Sequence, residues 1–170
     1  GYPLEADIFL DSSTYRAKAQ GWDRQEMLLR LKENILLLKQ HNLPIMFVAE
    51  RATATPPDEL YDALKMAADL GVDRLCIADT QGRADHRGVV NIFRWSFLNF
   101  SNYENIKWDG HFHNDLGLGA ANSLAAVYEG ANRVHATVIG IGERSGNVDL
   151  ATTLVALQTR GFIDKNLQGL

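Results

Sequence analysis

Short apolar runs alternate with longer amphipathic stretches along the chain. Each apolar run leads through a loop into a stretch whose apolar residues recur at helical spacing, a pattern typical of βα units. Because right-handed crossovers return successive strands to the same direction, this alternation predicts an α/β fold with a parallel sheet. Five strands are predicted, at Ala6 to Asp11, Pro44 to Ala49, Arg74 to Ala78, Ile106 to Phe112 and Arg133 to Ile139.

Two of the helices have well-marked starts. The first is predicted from Asp23 to His41, where Asp23 and Glu26 form an Asp-led version of the capping box. The second opens with Thr55 as the predicted cap and Pro56 at the first helical position, where proline is tolerated because no backbone donor is needed. Both helices follow predicted strands, as βα units require.

The length of the repeat bears on whether the sheet closes. With 170 residues in five units, each unit takes about 34 residues, and eight units would take roughly 270, close to the size of a (β/α)8 barrel. We therefore interpret residues 1–170 as a single domain, either an open sheet or the later part of a barrel. In both arrangements ligand sites lie at the carboxyl ends of the strands.

The composition and charge of the chain limit the classes of molecule that it is expected to bind. The net charge is −4 and the 17 Lys and Arg residues are scattered, which speaks against nucleic-acid binding. The longest apolar runs, such as residues 35–38, are far shorter than the roughly 20 residues needed to cross a bilayer, so no membrane association is expected. The single cysteine, Cys76, excludes an internal disulfide and is compatible with a reducing compartment, so we expect a cytoplasmic protein.

The fourth predicted strand ends in a His-x-His pattern. Residues two apart in a strand point the same way, so His111 and His113 can converge on one cation while Phe112 faces the opposite layer. The alternative is that these are two polar residues at a strand end, with Asn114 or Asp115 capping the following helix.

A glycine-rich loop from Gly140 to Asn147 follows the fifth predicted strand. It does not match a dinucleotide-binding loop, because Ser145 stands where the third glycine would be needed. The glycines allow a sharp turn from which Glu143, Arg144 and Asn147 can reach inward, and an asparagine oxygen suits a hard or borderline cation. The alternative is a tight turn with a surface Glu/Arg pair and a capping Asn147.

Two further strands end in polar residues at the same predicted edge. Glu50 follows the second strand, and Asp79 and Thr80 follow the third. Four successive units thus place polar side chains at equivalent positions, although Asp79 could instead bind the amides of its own loop. His135, which lies several residues before this edge, is predicted to be a hydrogen-bonded structural residue, and Cys76 is predicted to pack in the core.

These phrases resemble the metal-dependent barrel family of α-isopropylmalate, homocitrate and citramalate synthases, which also includes hydroxymethylglutaryl-CoA lyase. The resemblance rests on residues 111–118, 121–126, 130–131 and 140–147, and on the order of residues 47–50 and 79–82 along the chain. The phrase at residues 142–147 is similar to the synthases and differs from the lyase, whose loop carries a reactive cysteine.

The resemblance implies a chain that spans strand 4 to strand 8 of an eight-stranded barrel. It implies that His111, His113 and Asn147 bind a divalent metal, Zn, Mn or Mg. It also implies that Glu50 and Thr80 bind a 2-oxo acid, and that Glu50, Glu143 and Arg144 are catalytic, the last two on the acyl-CoA side. The implied reaction is a Claisen-type condensation of acetyl-CoA, or another acyl-CoA, with the 2-oxo acid.

The resemblance also implies a homo-oligomer, most simply a dimer. The family's first strand supplies an Asp ligand within an Asp-Arg-Glu phrase that these 170 residues do not contain, and Arg51 stands where the family usually has an acid. Two alternatives therefore stay open: an aldolase or lyase on the same scaffold, and a truncated, non-catalytic relative that survives as an interaction domain.

Overall fold

The computed structural model describes residues 3–167, in which five parallel strands form one sheet. The strands are β1 (Ala6–Leu10), β2 (Ile45–Ala49), β3 (Arg74–Asp79), β4 (Lys107–Phe112) and β5 (Arg133–Val134). They lie in the sheet in chain order, and the order never reverses. Open doubly wound sheets reverse their strand order at a switch point, whereas a barrel advances by one strand per crossover. The topology is therefore that of consecutive barrel strands.

Helices follow every strand, as predicted. They are α1 (Thr14–Gln20), α2 (Arg24–Gln40), α3 (Pro57–Asp69), α4 (His86–Asn99), α5 (Gly119–Tyr128) and α6 (Leu150–Thr159). Short 3₁₀ turns at Ala52–Ala54 and Val138–Gly140 complete the regular structure. Within residues 3–167, no helix is both long enough and apolar enough to cross a membrane.

The predicted helix starts are partly right. Asp23 caps α2 by accepting a hydrogen bond from the amide of Gln25, but Glu26 pairs with Arg30 on the same helix, and no capping box is seen. The prediction that Thr55 caps α3 is wrong. Its hydroxyl donates to the carbonyl of Arg51 in the preceding turn, and the helix therefore begins at Pro57 without a side-chain cap.

The sheet curls strongly. Four steps of about 4.8 Å would separate β1 from β5 by about 19 Å in a flat sheet, more than an Arg and a Glu side chain can bridge. Yet Arg133 in β5 lies 2.6 Å from the carboxylate of Glu5, which immediately precedes β1. The same guanidinium lies 3.1 Å from the sulfur of Met46 on the inner face of β2. The sheet is curved in the way that a barrel wall requires.

Alternation along the strands separates a packed outer face from an inner face whose central row of residues is apolar on β1 to β3 and charged on β4 and β5. Phe47, Leu75 and Phe112 are fully buried and belong to the core between the sheet and the helices. A row of inner residues crosses the sheet in register: Phe9, Val48, Cys76, Asp109 and Arg133. Cys76 is fully buried in this row, as predicted for a packing residue, and burial raises the pKa of its thiol well above the usual value.

The fifth strand is much shorter than predicted. It pairs with β4 only at residues 133 and 134, and the extended strand expected up to Ile139 is wrong. Thr137 bonds instead to downstream chain, donating to the carbonyl of Val148 and accepting from the amide of Leu150. Ile139 then adopts a left-handed conformation with φ 54°. The β-branched residues of this segment favour a strand, but at Thr137 the backbone hydrogen bonds are made with the downstream chain and not with β4.

Candidate active site

The polar residues singled out in the sequence follow the carboxyl ends of β2, β3, β4 and β5. This edge carries the loops after each strand, because all strands run in the same direction. The structure brings the histidine pair and the glycine-rich loop together directly. An isolated bridge joins His113 to Asn147, and the amide of Asn114 donates to the carbonyl of Gly146 at 3.0 Å.

The two imidazoles converge as the spacing predicts. The Nε2 atoms of His111 and His113 lie 3.2 Å apart, and the rings meet edge to face with centroids 5.0 Å apart. Two nitrogen ligands, each about 2.0–2.1 Å from one zinc ion, lie about 3.0–3.4 Å apart. The distance between the two nitrogens therefore fits a shared cation. His113 is buried, and its Nδ1 has no hydrogen-bond partner.

His111 stays neutral over the physiological range. Burial, followed by the charges of the nearby His135 and His113, lowers the pKa of its imidazole to about 4. Only a neutral imidazole offers a lone pair to a metal, so this shift favours the ligating form near neutral pH.

Asn147 lies opposite His113 across the bridge, which places the two side chains on the same face. Its Oδ1 is buried and has no hydrogen-bond partner, while its Nδ2 makes a long contact of 3.4 Å with the carbonyl of Ile141. Buried amide oxygens are rarely left without a partner, so a bound cation would supply the partner that Oδ1 lacks. Among residues 3–167, no group of three or more His, Cys, Asp or Glu could hold a metal. The donors here are two imidazoles and one amide.

The loop that carries Asn147 depends on a glycine at position 146. Gly146 has φ 94°, and a Cβ on it would overlap the carbonyl oxygen of Gly140. Replacement by alanine combines left-handed strain with a backbone clash, so Gly146→Ala is expected to lower the free energy of unfolding by about 2 kcal/mol. The control is Gly117→Ala, which has a similar φ of 70° but nothing within 4 Å of the new methyl group.

Denaturant unfolding of the full-length protein measures both changes. We expect the control to lose about 1 kcal/mol, since it carries strain without a clash. Equal losses for the two variants would show that the packing around Gly146 is less tight than the described contacts require.

Glu50 directly follows β2 at the carboxyl edge of the sheet. It is half-buried, and burial raises the pKa of its carboxyl group above the usual value. Arg16 opposes this shift, while the neighbouring acids Asp11 and Glu143 add to it.

The hydroxyl of Thr80 accepts a hydrogen bond of 2.8 Å from the amide of Arg51, so it is held beside Glu50. This leaves its proton free to be donated. Asp79 binds the amides of its own loop, which was the alternative considered from the sequence. Fully buried, it accepts from the hydroxyl of Thr53 and from the amides of Arg83 and Ala84, and so stabilises the loop that carries Thr80.

Arg144 joins three loops. Its Nε and Nη2 donate to the two oxygens of Asp115 at 2.7 and 2.9 Å, and Nη2 also donates to the carbonyl of Thr80 at 2.7 Å. Its approach to Glu143 is longer, at 3.5 Å, and the Glu143 side chain is 76% exposed. The surface Glu/Arg pair considered from the sequence is therefore the weaker of its contacts. Arg144 fastens the loop after β5 to the loops after β3 and β4.

Asp115 was missed as a partner of Arg144. The sequence suggested Asn114 or Asp115 as caps of α5, but the N-cap residue is Leu118, which makes no side-chain cap bond. Asn114 Oδ1 still accepts from the amide of Gly119 at 3.2 Å, whereas Asp115 bonds to Arg144. The hydrogen bond from Arg144 lowers the pKa of Asp115. No local signal links these two residues, which are 29 positions apart.

Asp109 was also missed, although a signal was present. Asp109, His111 and His113 alternate in one strand, so all three share the inner face. His135 is confirmed as a hydrogen-bonded residue, with its Nε2 3.3 Å from Asp109 Oδ2.

Comparison with known proteins decides the family. A family model described as HMGL-like matches residues 4–169. The chain belongs to the HMGL-like family. This HMGL-like chain is 41% identical over 159 residues to a homocitrate synthase of Saccharolobus islandicus, an alignment that covers 91% of this chain and 34% of the relative. It is 38% identical over 135 residues to a 2-isopropylmalate synthase of Saccharolobus solfataricus, covering 79% of this chain and 34% of the relative.

A 2-isopropylmalate synthase of Methylacidiphilum infernorum is 35% identical over 166 residues, covering 95% of this chain and 33% of the relative. The HMGL-like chain thus spans about a third of the length of these curated relatives. Their names are those of synthases, so this is a family of enzymes, and the resemblance stated from the sequence is confirmed.

Solved structures show the fold. An HMG-CoA lyase of Acinetobacter baumannii, in complex with coenzyme A and 3-methylmalate, has a TM-score of 0.79 and 23% identity, covering 94% of this chain and 55% of that one. An HMG-CoA lyase of Pseudomonas aeruginosa has a TM-score of 0.80 and 18% identity, covering 92% and 55%. The curled sheet of the HMGL-like chain is thus part of a (β/α)8 barrel, as predicted.

Proposed function

We propose that the protein catalyses a Claisen-type condensation of an acyl-CoA with a 2-oxo acid, in the manner of a 2-isopropylmalate synthase, and that it depends on a divalent metal. The observation that carries this proposal is the pair of Nε2 atoms 3.2 Å apart at the carboxyl edge of the sheet, together with the bridge from His113 to Asn147, whose Oδ1 is buried without a partner. The identity of 35–41% to named synthases supports the same chemistry.

In this proposal His111, His113 and Asn147 hold the cation, with further ligands from outside these residues. Zn, Mn or Mg suits a set of nitrogen and oxygen donors. When bound, the cation supplies Lewis-acid polarisation of the ketone of the 2-oxo acid. The pKa of about 4 at His111 keeps one of these ligands neutral without help from the cation.

Glu50 and Thr80 are proposed to bind the 2-oxo acid. Thr80 can donate its hydroxyl proton to a substrate carboxylate, because its oxygen is fixed by the amide of Arg51. Glu50, whose pKa burial raises, can hold a proton close to the reacting ketone oxygen. The methyl carbon of the acyl thioester gives its proton to a base and adds to the ketone carbon. Hydrolysis of the thioester then releases CoA.

Glu143 and Arg144 are proposed to act on the acyl-CoA side in different ways. The exposed carboxylate of Glu143 is free to contact the incoming thioester. Arg144 is engaged by Asp115 and Thr80, so we propose that it positions the loop that carries Glu143 and Asn147. A homo-oligomer and a cytoplasmic location belong to the same proposal.

The first experiment measures metal content in the full-length protein that contains this chain. We expect stoichiometric divalent cation in the unsubstituted protein and its loss in the double variant His111→Ala with His113→Ala. The matched control replaces the exposed His41 and His86, which lie outside the site. Cation that survives in the His111 and His113 double variant would overturn the proposed ligand set.

The second experiment separates condensation from cleavage. Acetyl-CoA and a panel of 2-oxo acids are assayed for release of the CoA thiol, and hydroxyacids are assayed in parallel for carbon–carbon cleavage. We expect thiol release, because the loop at residues 142–147 contains no cysteine and the buried Cys76 is unsuited to a reactive role. Cleavage without condensation would instead support a lyase on this scaffold.

A further inference from the structure

A cluster of charged side chains lies on the inner face of the sheet, two residues before His111 on β4. Asp109 is fully buried there, between Arg74 on β3 and Arg133 on β5. Arg74 Nε is 3.0 Å from both carboxylate oxygens, and Arg133 Nε is 2.7 Å from Oδ2. Arg133 is held in turn by Glu5 at 2.6 Å. The proposed mechanism uses none of these groups.

His135 connects this cluster to the histidine pair. Its Nε2 lies 3.3 Å from Asp109 Oδ2, and its ring meets the ring of His111 edge to face, with centroids 5.4 Å apart and planes at 65°. Because Asp109 engages its Nε2, His135 does not present this nitrogen to a cation shared by the other two histidines. Its ring instead occupies the space next to His111.

We propose that Asp109 and His135 are positioning residues for the metal site: Asp109 fixes the ring of His135, and that ring fixes His111 with its Nε2 turned toward His113. The inference rests on the proposed function, since it concerns the same cation. Two guanidiniums bind the carboxylate from both neighbouring strands, so Asp109 cannot rotate away from His135 without breaking those bonds.

A ring fixed before the cation binds costs less entropy to order on binding. A half-buried imidazole without a fixed neighbour can sample several ring orientations, and only some place Nε2 where a second ligand can share the cation. Outer partners of metal-bound histidines typically change metal affinity by about 10- to 100-fold when they are removed. His135 is an outer partner of His111 because the two rings pack against each other, and Asp109 affects His111 only by holding the ring of His135.

The test measures divalent cation affinity in the full-length protein, using Zn²⁺ in competition with a chelator and the visible absorption of the Co²⁺ form. We expect His135→Ala to weaken Zn²⁺ binding by at least about 10-fold and to alter the Co²⁺ spectrum. His135→Phe keeps a ring beside His111 but cannot bond to Asp109. Its Zn²⁺ affinity is therefore expected to lie between that of the unsubstituted protein and that of His135→Ala. The spectrum is decisive because a merely structural role would leave the coordination geometry unchanged.

The matched control is Glu5→Gln, which loosens the same arginine network at its far end without touching His135. We expect its Zn²⁺ affinity to stay within about 2-fold of the unsubstituted protein, while His135→Ala still unfolds cooperatively. Unchanged affinity and spectrum in His135→Ala would overturn the role of His135. Affinity in His135→Phe equal to that of the unsubstituted protein would overturn the role of Asp109. An unsubstituted protein that binds none of Zn²⁺, Mn²⁺ and Mg²⁺ would instead overturn the proposed function.

Discussion

Replacing Asp109 by alanine is expected to lower the free energy of unfolding by about 2 to 4 kcal/mol. The carboxylate is fully buried and pairs with Arg74, which is 17% exposed, and with Arg133, which is 39% exposed. Its removal leaves Arg74 without this partner, while solvent and Glu5 reduce the cost at Arg133. The pKa of Asp109 supports a paired carboxylate: burial alone would raise it, but hydrogen bonds from His135, Arg74 and Arg133 hold it below the usual value.

Denaturant unfolding of the full-length protein measures this loss, and an exposed pair provides the control. Glu26 and Arg30 form an ion pair on the surface of α2, with side chains 54% and 69% exposed. Glu26→Gln is expected to cost less than about 0.5 kcal/mol, because solvent screens such pairs. A loss in Asp109→Ala as small as this control would mean that the arginines find water or other partners when the carboxylate is removed.

Acidification of the metal-free protein from pH 6.5 to pH 4 is expected to remove about 3 kcal/mol of unfolding free energy through His111. The unfolded imidazole takes up a proton near pH 6.5, whereas the folded one does so only near its pKa of about 4. Between these values the unfolded state binds more protons, so unfolding free energy rises with pH and is lost as pH falls. A gap of about 2.5 pH units corresponds to about 3 kcal/mol.

The comparison that isolates this effect uses His111→Gln, which cannot titrate. Its unfolding free energy should depend less steeply on pH between 6.5 and 4, while His86→Gln, at an exposed position, should keep the full slope. Glu50 acts in the opposite direction, since burial raises its pKa and protonation favours the folded state as pH falls. The pKa of Asp109 is held below its usual value, so this carboxylate changes the free energy of unfolding mainly at pH values below this range. Equal slopes in the two variants would contradict a neutral, half-buried His111.

The glycine-rich loop shows where sequence reasoning stopped. The spacing of its glycines predicts a sharp turn, and the sequence also singles out Asn147 as a candidate ligand. Its bridge to His113 came from tertiary structure, because that bridge spans 34 positions and pairs a strand end with a loop. The same folding back removed most of β5, since the loop supplies hydrogen bonds to Thr137 that a sheet neighbour would otherwise make.

The pairing of Arg144 with Asp115 is a second contact that the sequence did not predict. From sequence, Arg144 was a candidate for the acyl-CoA side or one half of a surface Glu/Arg pair, and Asp115 was a possible helix cap. The structure joins Arg144 and Asp115 through two hydrogen bonds, and the paths of the loops after β4 and β5 decided that pairing. By contrast, Asp109 could have been found from the two-residue period of β4, which places it on the face of His111 and His113.

The amino-acid sequence by itself determined the βα repeat, the parallel direction of the strands and the convergence of His111 and His113. These features follow from local geometry: the period of apolar residues and the two-residue alternation of a strand. Only the tertiary structure decided that the sheet curls until Arg133 reaches Glu5, and that His135 and Asp109 lie beside the histidine pair. Such contacts depend on strand register and loop paths, which are set by packing across the whole sheet.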